Sequence, residues 1–198
     1  MPPLRNGSGL LEAIPVRMEQ ARPQALDRLR AEFNRIYEGE FGYVMKTLRR
    51  LGIPERDLPD VTQEVFVRVY QALPNYDPRR PVRPWLFGFA LRTASNHLRL
   101  WRTRSAPPAS GEVEVQDSGP TPEQRAAAAE DRALVVRALQ SLSLSRRAVV
   151  VLHEIDGLSV PEVAETLRIP LNTAYSRLRR GLADLARVLL PPEGPHVR

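Results

Sequence analysis

Seven arginines and no acid fall between Arg79 and Arg104, interleaved with Trp85, Phe87, Phe89 and Trp101. Guanidinium groups track phosphates, and aromatic rings give a face on which unpaired bases stack. The competing reading is a core role, and it is the stronger one for Leu86, Phe89 and Leu98. Trp85 and Trp101, each with arginine within two residues, stay open between the two. Ahead of them lies Asn75-Tyr76-Asp77-Pro78-Arg79-Arg80-Pro81, a polar, proline-rich loop able to form a pocket for an extruded base.

A second basic surface lies in Val160–Arg180. Val160, Val163, Ala164 and Leu167 recur at helical spacing. Arg168-Ile169-Pro170 then breaks the pattern, because a residue before proline is pushed out of the helical region. A further stripe follows at Leu171, Ala174, Leu178 and Leu182, and the opposite face carries Asn172, Thr173, Ser176, Arg177, Arg179 and Arg180. Short helix, tight turn and a second helix with a basic, hydroxyl-rich face make a helix-turn-helix, which places a recognition helix in the DNA major groove.

The third surface is Asp57–Gln71. Leu58, Val61, Val65, Val69 and Ala72 form its apolar stripe, and Asp60, Gln63, Glu64, Arg68 and Gln71 lie opposite. On an isolated helix this is an ordinary solvated face. Glu64 and Arg68 form an i,i+4 pair that supports the helix by a few tenths of a kcal/mol.

Composition narrows the classes. The net charge of +6 favours an anionic partner, though weakly. Lys46 is the sole lysine among 29 basic residues, which codon bias in a GC-rich genome explains without explaining where the arginines sit. There is no cysteine, hence no disulfide, thiolate nucleophile or cysteine–zinc site. His97, His153 and His196 show no metal spacing, so no metal or other cofactor is expected. No acid cluster lies near the basic segments to hold magnesium, which speaks against a nuclease-like enzyme. No apolar run approaches the ~18 residues that span a membrane, and the first residues lack the apolar core of a signal peptide. The expected location is the cytoplasm, without membrane insertion.

These surfaces need helices to hold them, and no persuasive strand alternation appears. The expected fold is all-α: two small helical domains joined by a flexible acidic linker. The stretch Ser105–Glu123 has four prolines, two glycines, four acids and no base. Residues 1–23 read as a disordered leader, 24–104 as the first domain, 105–122 as linker, 123–190 as the second domain and 191–198 as tail. The expected helices are Gln24–Tyr37 and Glu40–Leu51 meeting near Gly39, then Glu55–Leu73 and Pro84–Thr103. Beyond the linker come one from Thr121 to about Leu142, Ser145 to about Glu154, and the helix-turn-helix.

Asp60-x-x-Gln63-Glu64-x-Phe66, Trp85-Leu86-x-x-x-Ala90 and the Val160–Arg180 helix-turn-helix, in that order, resemble bacterial RNA polymerase sigma factors of the extracytoplasmic-function group. The resemblance covers about Ala31–Thr103 (region 2) and Ala133–Leu190 (region 4). It implies that the face of Asp60, Gln63, Glu64 and Arg68 docks on core RNA polymerase, whose beta and beta-prime subunits and promoter DNA are the partners. It implies that Asn75, Tyr76, Arg79, Arg80, Arg83, Trp85, Arg92, Asn96 and Arg99 read and open the minus-ten element. It further implies that Arg168, Asn172, Thr173, Ser176, Arg177, Arg179 and Arg180 read the minus-thirty-five element. A dedicated anti-sigma factor is a further implied partner. No catalysis is expected.

The chain departs from the family pattern in places. Arg168 stands where the family usually has glycine at the bend, a position whose positive φ costs a non-glycine residue roughly 1 kcal/mol. Leu91-Arg92 replaces a frequent Arg-Asn, Asn96 replaces an acid, and Tyr175 replaces a common base. The alternative function is a stand-alone helix-turn-helix regulator, which would bind operator duplex without polymerase.

Overall fold

The structure, a computed structural model, describes residues 23–104, 130 and 133–189. The expected leader, linker and tail lie outside the described residues, as does the start of the helix expected from Thr121. Among the described residues all regular structure is helical.

Helix α1 spans Pro23–Leu51 without interruption. The expected break at Gly39 is therefore corrected. Glycine inside a helix costs up to about 1 kcal/mol, but Phe33, Ile36, Val44, Leu48 and Leu51 keep helical spacing across it and are all buried. Burying any one of these side chains is worth about 1.5–3 kcal/mol, so packing overrides propensity. Gly52, at φ +96°, ends the helix.

A 3-10 turn at Glu55–Asp57 leads into α2, Leu58–Ala72, and a second such turn covers Leu73–Asn75. The single helix expected over 55–73 thus has tightened ends. Helix α3 runs Val82–Arg104, with Pro84 in its first turn as expected. Helices α1, α2 and α3 pack on one another around Phe66. The Phe66 ring lies 4.8 Å from Tyr37, 6.1 Å from Phe41 in a stacked pose and 6.4 Å from Phe33 edge-on.

In the second half, helical segment α4 covers 133–140. Helix α5, Leu144–Val150, continues into a π-turn at Val151–Ile155. Helix α6 is Val160–Leu167 and α7 is Leu171–Leu189. The α5–α7 crossing is close: a β-carbon on Gly181 would lie 2.7 Å from a methyl of Val150. Arg146 pairs with Asp184 across the same crossing at 2.6 Å.

Candidate nucleic-acid interface

The helix-turn-helix is built by local rules. Ser159 caps α6 in a reciprocal capping box: its backbone N–H donates to Glu162 Oε2 at 2.7 Å, and the Glu162 N–H donates to Ser159 Oγ at 3.5 Å. The Ser159 hydroxyl, donating to Glu162 Oε2 at 2.6 Å, and then the Ser159 backbone N–H hold the Glu162 carboxyl below its usual range. At the other end Arg168 is left-handed, φ 52° and ψ 49°. Its N–H donates to the Glu165 carbonyl at 3.1 Å, and the Ile169 N–H donates to that of Ala164 at 3.0 Å. This Schellman pattern satisfies the last carbonyls of α6, at the strain cost expected for a non-glycine residue. The Arg168 side chain is exposed.

Helix α7 follows at once and carries the remaining predicted residues. Asn172, Arg179 and Arg180 are exposed, and Thr173, Ser176 and Arg177 are half-buried. The expected apolar stripe needs correction. Ala174, Leu178 and Gly181 face the core, whereas Leu171 and Leu182 are 43% and 38% exposed and Tyr175 is 52% exposed. A glycine does the packing instead, because α5 approaches too closely for a larger residue.

The region from Asn75 to Arg99 is more braced than its sequence indicates. The Tyr76 hydroxyl donates to the Arg80 carbonyl at 2.7 Å, and the Arg80 N–H donates to the Asp77 carbonyl at 2.9 Å. Tyr76 lies against Trp85 with ring centroids 4.4 Å apart and planes at 32°, and Trp85 meets Phe89 edge-on at 5.1 Å. Burial moves the Tyr76 hydroxyl pKa upward. Trp85 is half-buried, so one aromatic platform stays partly open; Asn75, Arg79, Arg80, Arg83, Arg92 and Arg99 are exposed, and Asn96 is half-buried. Phe87, Leu86 and Ala90 are in the core. That removes Phe87 from the set of possible base-stacking rings. Trp101 is half-buried, with the Arg56 guanidinium 6.0 Å from its ring centre.

The run from Arg79 to Arg104 contains no acid, yet the fold brings acids to three of its arginines. Arg79 pairs with Asp77 at 3.2 Å, Arg83 with Glu40 at 2.9 Å, and Arg80 with Glu165 at 3.6 Å. Donating to the Glu40 carboxylate raises the Arg83 guanidinium pKa further. Asp77 is a near neighbour of Arg79, whereas Glu40 and Glu165 are distant in the chain from Arg83 and Arg80, so nothing local signals those two partners.

The Asp60 face is an open surface. Asp60, Gln63 and Glu64 are exposed, and Arg68 is half-exposed. Arg68 pairs with Glu64 at 2.7 Å, the expected i,i+4 bridge. Phe66, two positions on, points into the centre of the bundle.

The two halves also touch. Arg147, 7% exposed, donates through Nη1 to the Leu51 carbonyl at 2.5 Å, and through Nη2 to the Gln140 and Leu142 carbonyls, both at 2.9 Å. Tyr43 donates its hydroxyl to Asp156 Oδ2 at 2.7 Å. Burial, then the Asp156 hydrogen bond, pushes the Tyr43 hydroxyl far up; burial also raises the Asp156 carboxyl, against Tyr43, Arg50 and Arg83, which lower it. Among the described residues there is no cluster able to hold a metal ion and no helix long and apolar enough to cross a membrane.

Known proteins match this arrangement. The sigma-70 region 2 family model matches residues 36–103, and the sigma-70 region 4 model matches residues 132–185. RNA polymerase sigma factor CnrH of Cupriavidus metallidurans is 36% identical over 148 residues, covering 71% of this chain and 78% of that protein. The ECF RNA polymerase sigma-E factor of Escherichia coli K12 is 35% identical over 138 residues, covering 65% of this chain and 71% of that protein. Among solved structures, CnrH in complex with the cytosolic domain of CnrY superposes with a TM-score of 0.59 at 29% identity, over 81% of this chain and 88% of that one. The sigma factor RpoE of Bartonella quintana, with the anti-sigma factor NepR, shares the fold at TM-score 0.64 and 16% identity, over 82% and 99%.

Proposed function

The chain belongs to the sigma-70 family, in its extracytoplasmic-function group, and on that premise we propose a division of labour between its two halves. As a sigma factor it binds core RNA polymerase and directs promoter recognition and initiation, and it is not an enzyme. The observation that carries this reading is the presence of both family regions in one chain, in order, which a stand-alone helix-turn-helix regulator would not have.

In our reading residues 24–104 dock on the polymerase clamp through Asp60, Gln63, Glu64 and Arg68. Their support is shared exposure on one face of α2, directly behind which Phe66 anchors the helix. The loop from Asn75 to Arg83, with Trp85, Arg92, Asn96 and Arg99, traps the opened minus-ten strand. The half-open Tyr76–Trp85 platform suits an unstacked base. Residues 123–190 read the minus-thirty-five duplex with Arg168, Asn172, Thr173, Ser176, Arg177, Arg179 and Arg180. A bidentate arginine–guanine contact is worth about 1–3 kcal/mol of discrimination. Each half alone holds DNA weakly; polymerase sets their separation and turns them into one bivalent reader.

CnrH is solved with CnrY and RpoE with the anti-sigma factor NepR, and a dedicated anti-sigma protein is proposed here too. The cytoplasm is the proposed location. The test is in-vitro transcription with purified core enzyme on a promoter library. Initiation at a defined set of promoters, dependent on added protein, is the expected result. Tight binding to duplex DNA without core, and no initiation with it, would overturn the reading.

A further inference from the structure

The polar loop between α2 and α3 is tied by groups within its own length. Asp77 Oδ1 accepts from the Arg79 backbone N–H at 3.0 Å and from Arg79 Nε at 3.2 Å. The first of these bonds is an Asx turn. The Arg80 N–H closes a β-turn over the same residues onto the Asp77 carbonyl at 2.9 Å. Aspartate in the first position and Pro78 in the second are what such a turn favours, proline because its φ is already set.

Tyr76 fastens this turn to both flanking helices. Its N–H donates to the Leu73 carbonyl at 3.0 Å, on the short turn that ends α2. Its hydroxyl donates to the Arg80 carbonyl at 2.7 Å, and its ring lies 4.4 Å from that of Trp85 in α3. Asp77 is a carboxylate in a basic stretch, and DNA phosphates repel it, so direct contact with the backbone of DNA does not explain it. Its bonds do. They use the N–H and Nε of Arg79, whose side chain is 91% exposed, and so leave both terminal guanidinium nitrogens for a phosphate or a base.

We propose that Asp77 and the Tyr76 hydroxyl are positioning residues for the minus-ten element: acting through the backbone of Arg79 and Arg80, they hold the Asn75–Arg83 loop in its reading shape before DNA arrives. The inference rests on the assignment of this loop to the minus-ten element made above. A loose loop loses conformational freedom on binding, and it reshapes around a wrong base almost as well as around the right one. A loop already tied does neither, so its rigidity supplies selectivity as well as affinity.

The test is in-vitro transcription by the full-length protein with core enzyme, on promoters randomised across the minus-ten element. Asp77→Ala and Tyr76→Phe should each flatten the parental minus-ten base preference roughly fivefold, the factor expected for one lost hydrogen bond. Tyr76→Phe keeps the ring against Trp85, so it isolates the hydroxyl. Asp77→Asn keeps an acceptor for the Arg79 N–H and should restore the preference. Base preference at minus thirty-five and retention of core enzyme should stay parental in all three, which general damage to the fold would not allow.

Parental minus-ten preference in either Asp77→Ala or Tyr76→Phe would overturn the role of that residue. Equal loss in Asp77→Asn and Asp77→Ala would overturn the turn-holding role of the carboxylate, as would a parallel loss of preference at minus thirty-five. Arg79→Ala with Arg80→Ala removes the side chains assigned to DNA and separates the two levels of the argument. If that double variant alters minus-ten preference while the Asp77 and Tyr76 variants do not, the loop assignment stands and the positioning role falls. If none of them alters it, the loop assignment falls as well; the sigma reading itself fails only if the parent protein with core enzyme initiates nowhere.

Discussion

Gly52 and Arg147 share one small volume: a β-carbon on Gly52 would collide with Nη1 of the arginine, and the Gly52 backbone sits at φ +96°. The glycine thus serves twice, ending α1 and admitting a side chain from the other half of the molecule. Gly52→Ala should cost about 1–3 kcal/mol from backbone strain, more if Arg147 is displaced from the Leu51 carbonyl. Thermal unfolding should show a midpoint several degrees lower. An unchanged midpoint would mean that neither constraint matters.

Arg168 offers an opposed pair of readouts. Replacing it with glycine relieves the left-handed strain, so Arg168→Gly should stabilise the second half by up to about 1 kcal/mol. If the exposed guanidinium meets a phosphate, the same change should weaken promoter binding evenly across sequences. It should also reduce the salt slope by about one unit. Binding titrations at several salt concentrations check this; a sequence-selective loss would instead place Arg168 on a base.

Arg177→Ala should reduce transcription from the cognate promoter about tenfold or more, the equivalent of one lost bidentate contact. Retention of core enzyme in a pull-down should stay at the parental level. Loss of retention would show that the side chain serves polymerase rather than DNA.

Asp60→Ala with Glu64→Ala should weaken the polymerase complex with almost no change in the melting of the free protein. Both side chains are exposed, and the Glu64–Arg68 pair contributes only tenths of a kcal/mol. Unchanged retention of core enzyme by the double variant would remove this face from the docking surface.

Burial raises the Asp156 carboxyl above its ordinary value. A raised acid destabilises the folded protein once ionised. The stabilising effect of its neutral form is fully present below the ordinary aspartate range and is lost as pH rises through the raised value. Asp156→Asn cannot ionise and keeps an acceptor for Tyr43. The variant should therefore match or exceed the parent in thermal stability at pH 7, with the gap closing as pH falls toward about 4. A gap that widens in acid would reverse the assigned cause.

How much could be read without coordinates differs from element to element. The bend of the helix-turn-helix was legible, because Arg168 and Pro170 act on backbone groups within a few positions of themselves; the inward face of α7 was only partly so, since Gly181 rather than Leu171 or Leu182 packs there. The outward face of α2 was legible as well, since helical periodicity sorts Asp60, Gln63 and Glu64 from Val61, Val65 and Phe66. The continuous α1 was not: a glycine signal is local, and the burial that outweighs it comes from two other helices.

The order of residues alone therefore determined the helical class, both family regions and much of which faces are exposed, because caps, turns and a 3.6-residue period are short-range physics. Only the folded molecule decided which aromatic ring stays partly open beside Tyr76, which arginines find acids, and that Arg147 closes one half on the other. Those pairings join residues as far apart as Leu51 and Arg147. Burial of a guanidinium, or proximity of Glu165 to Arg80, exists only once helices are packed.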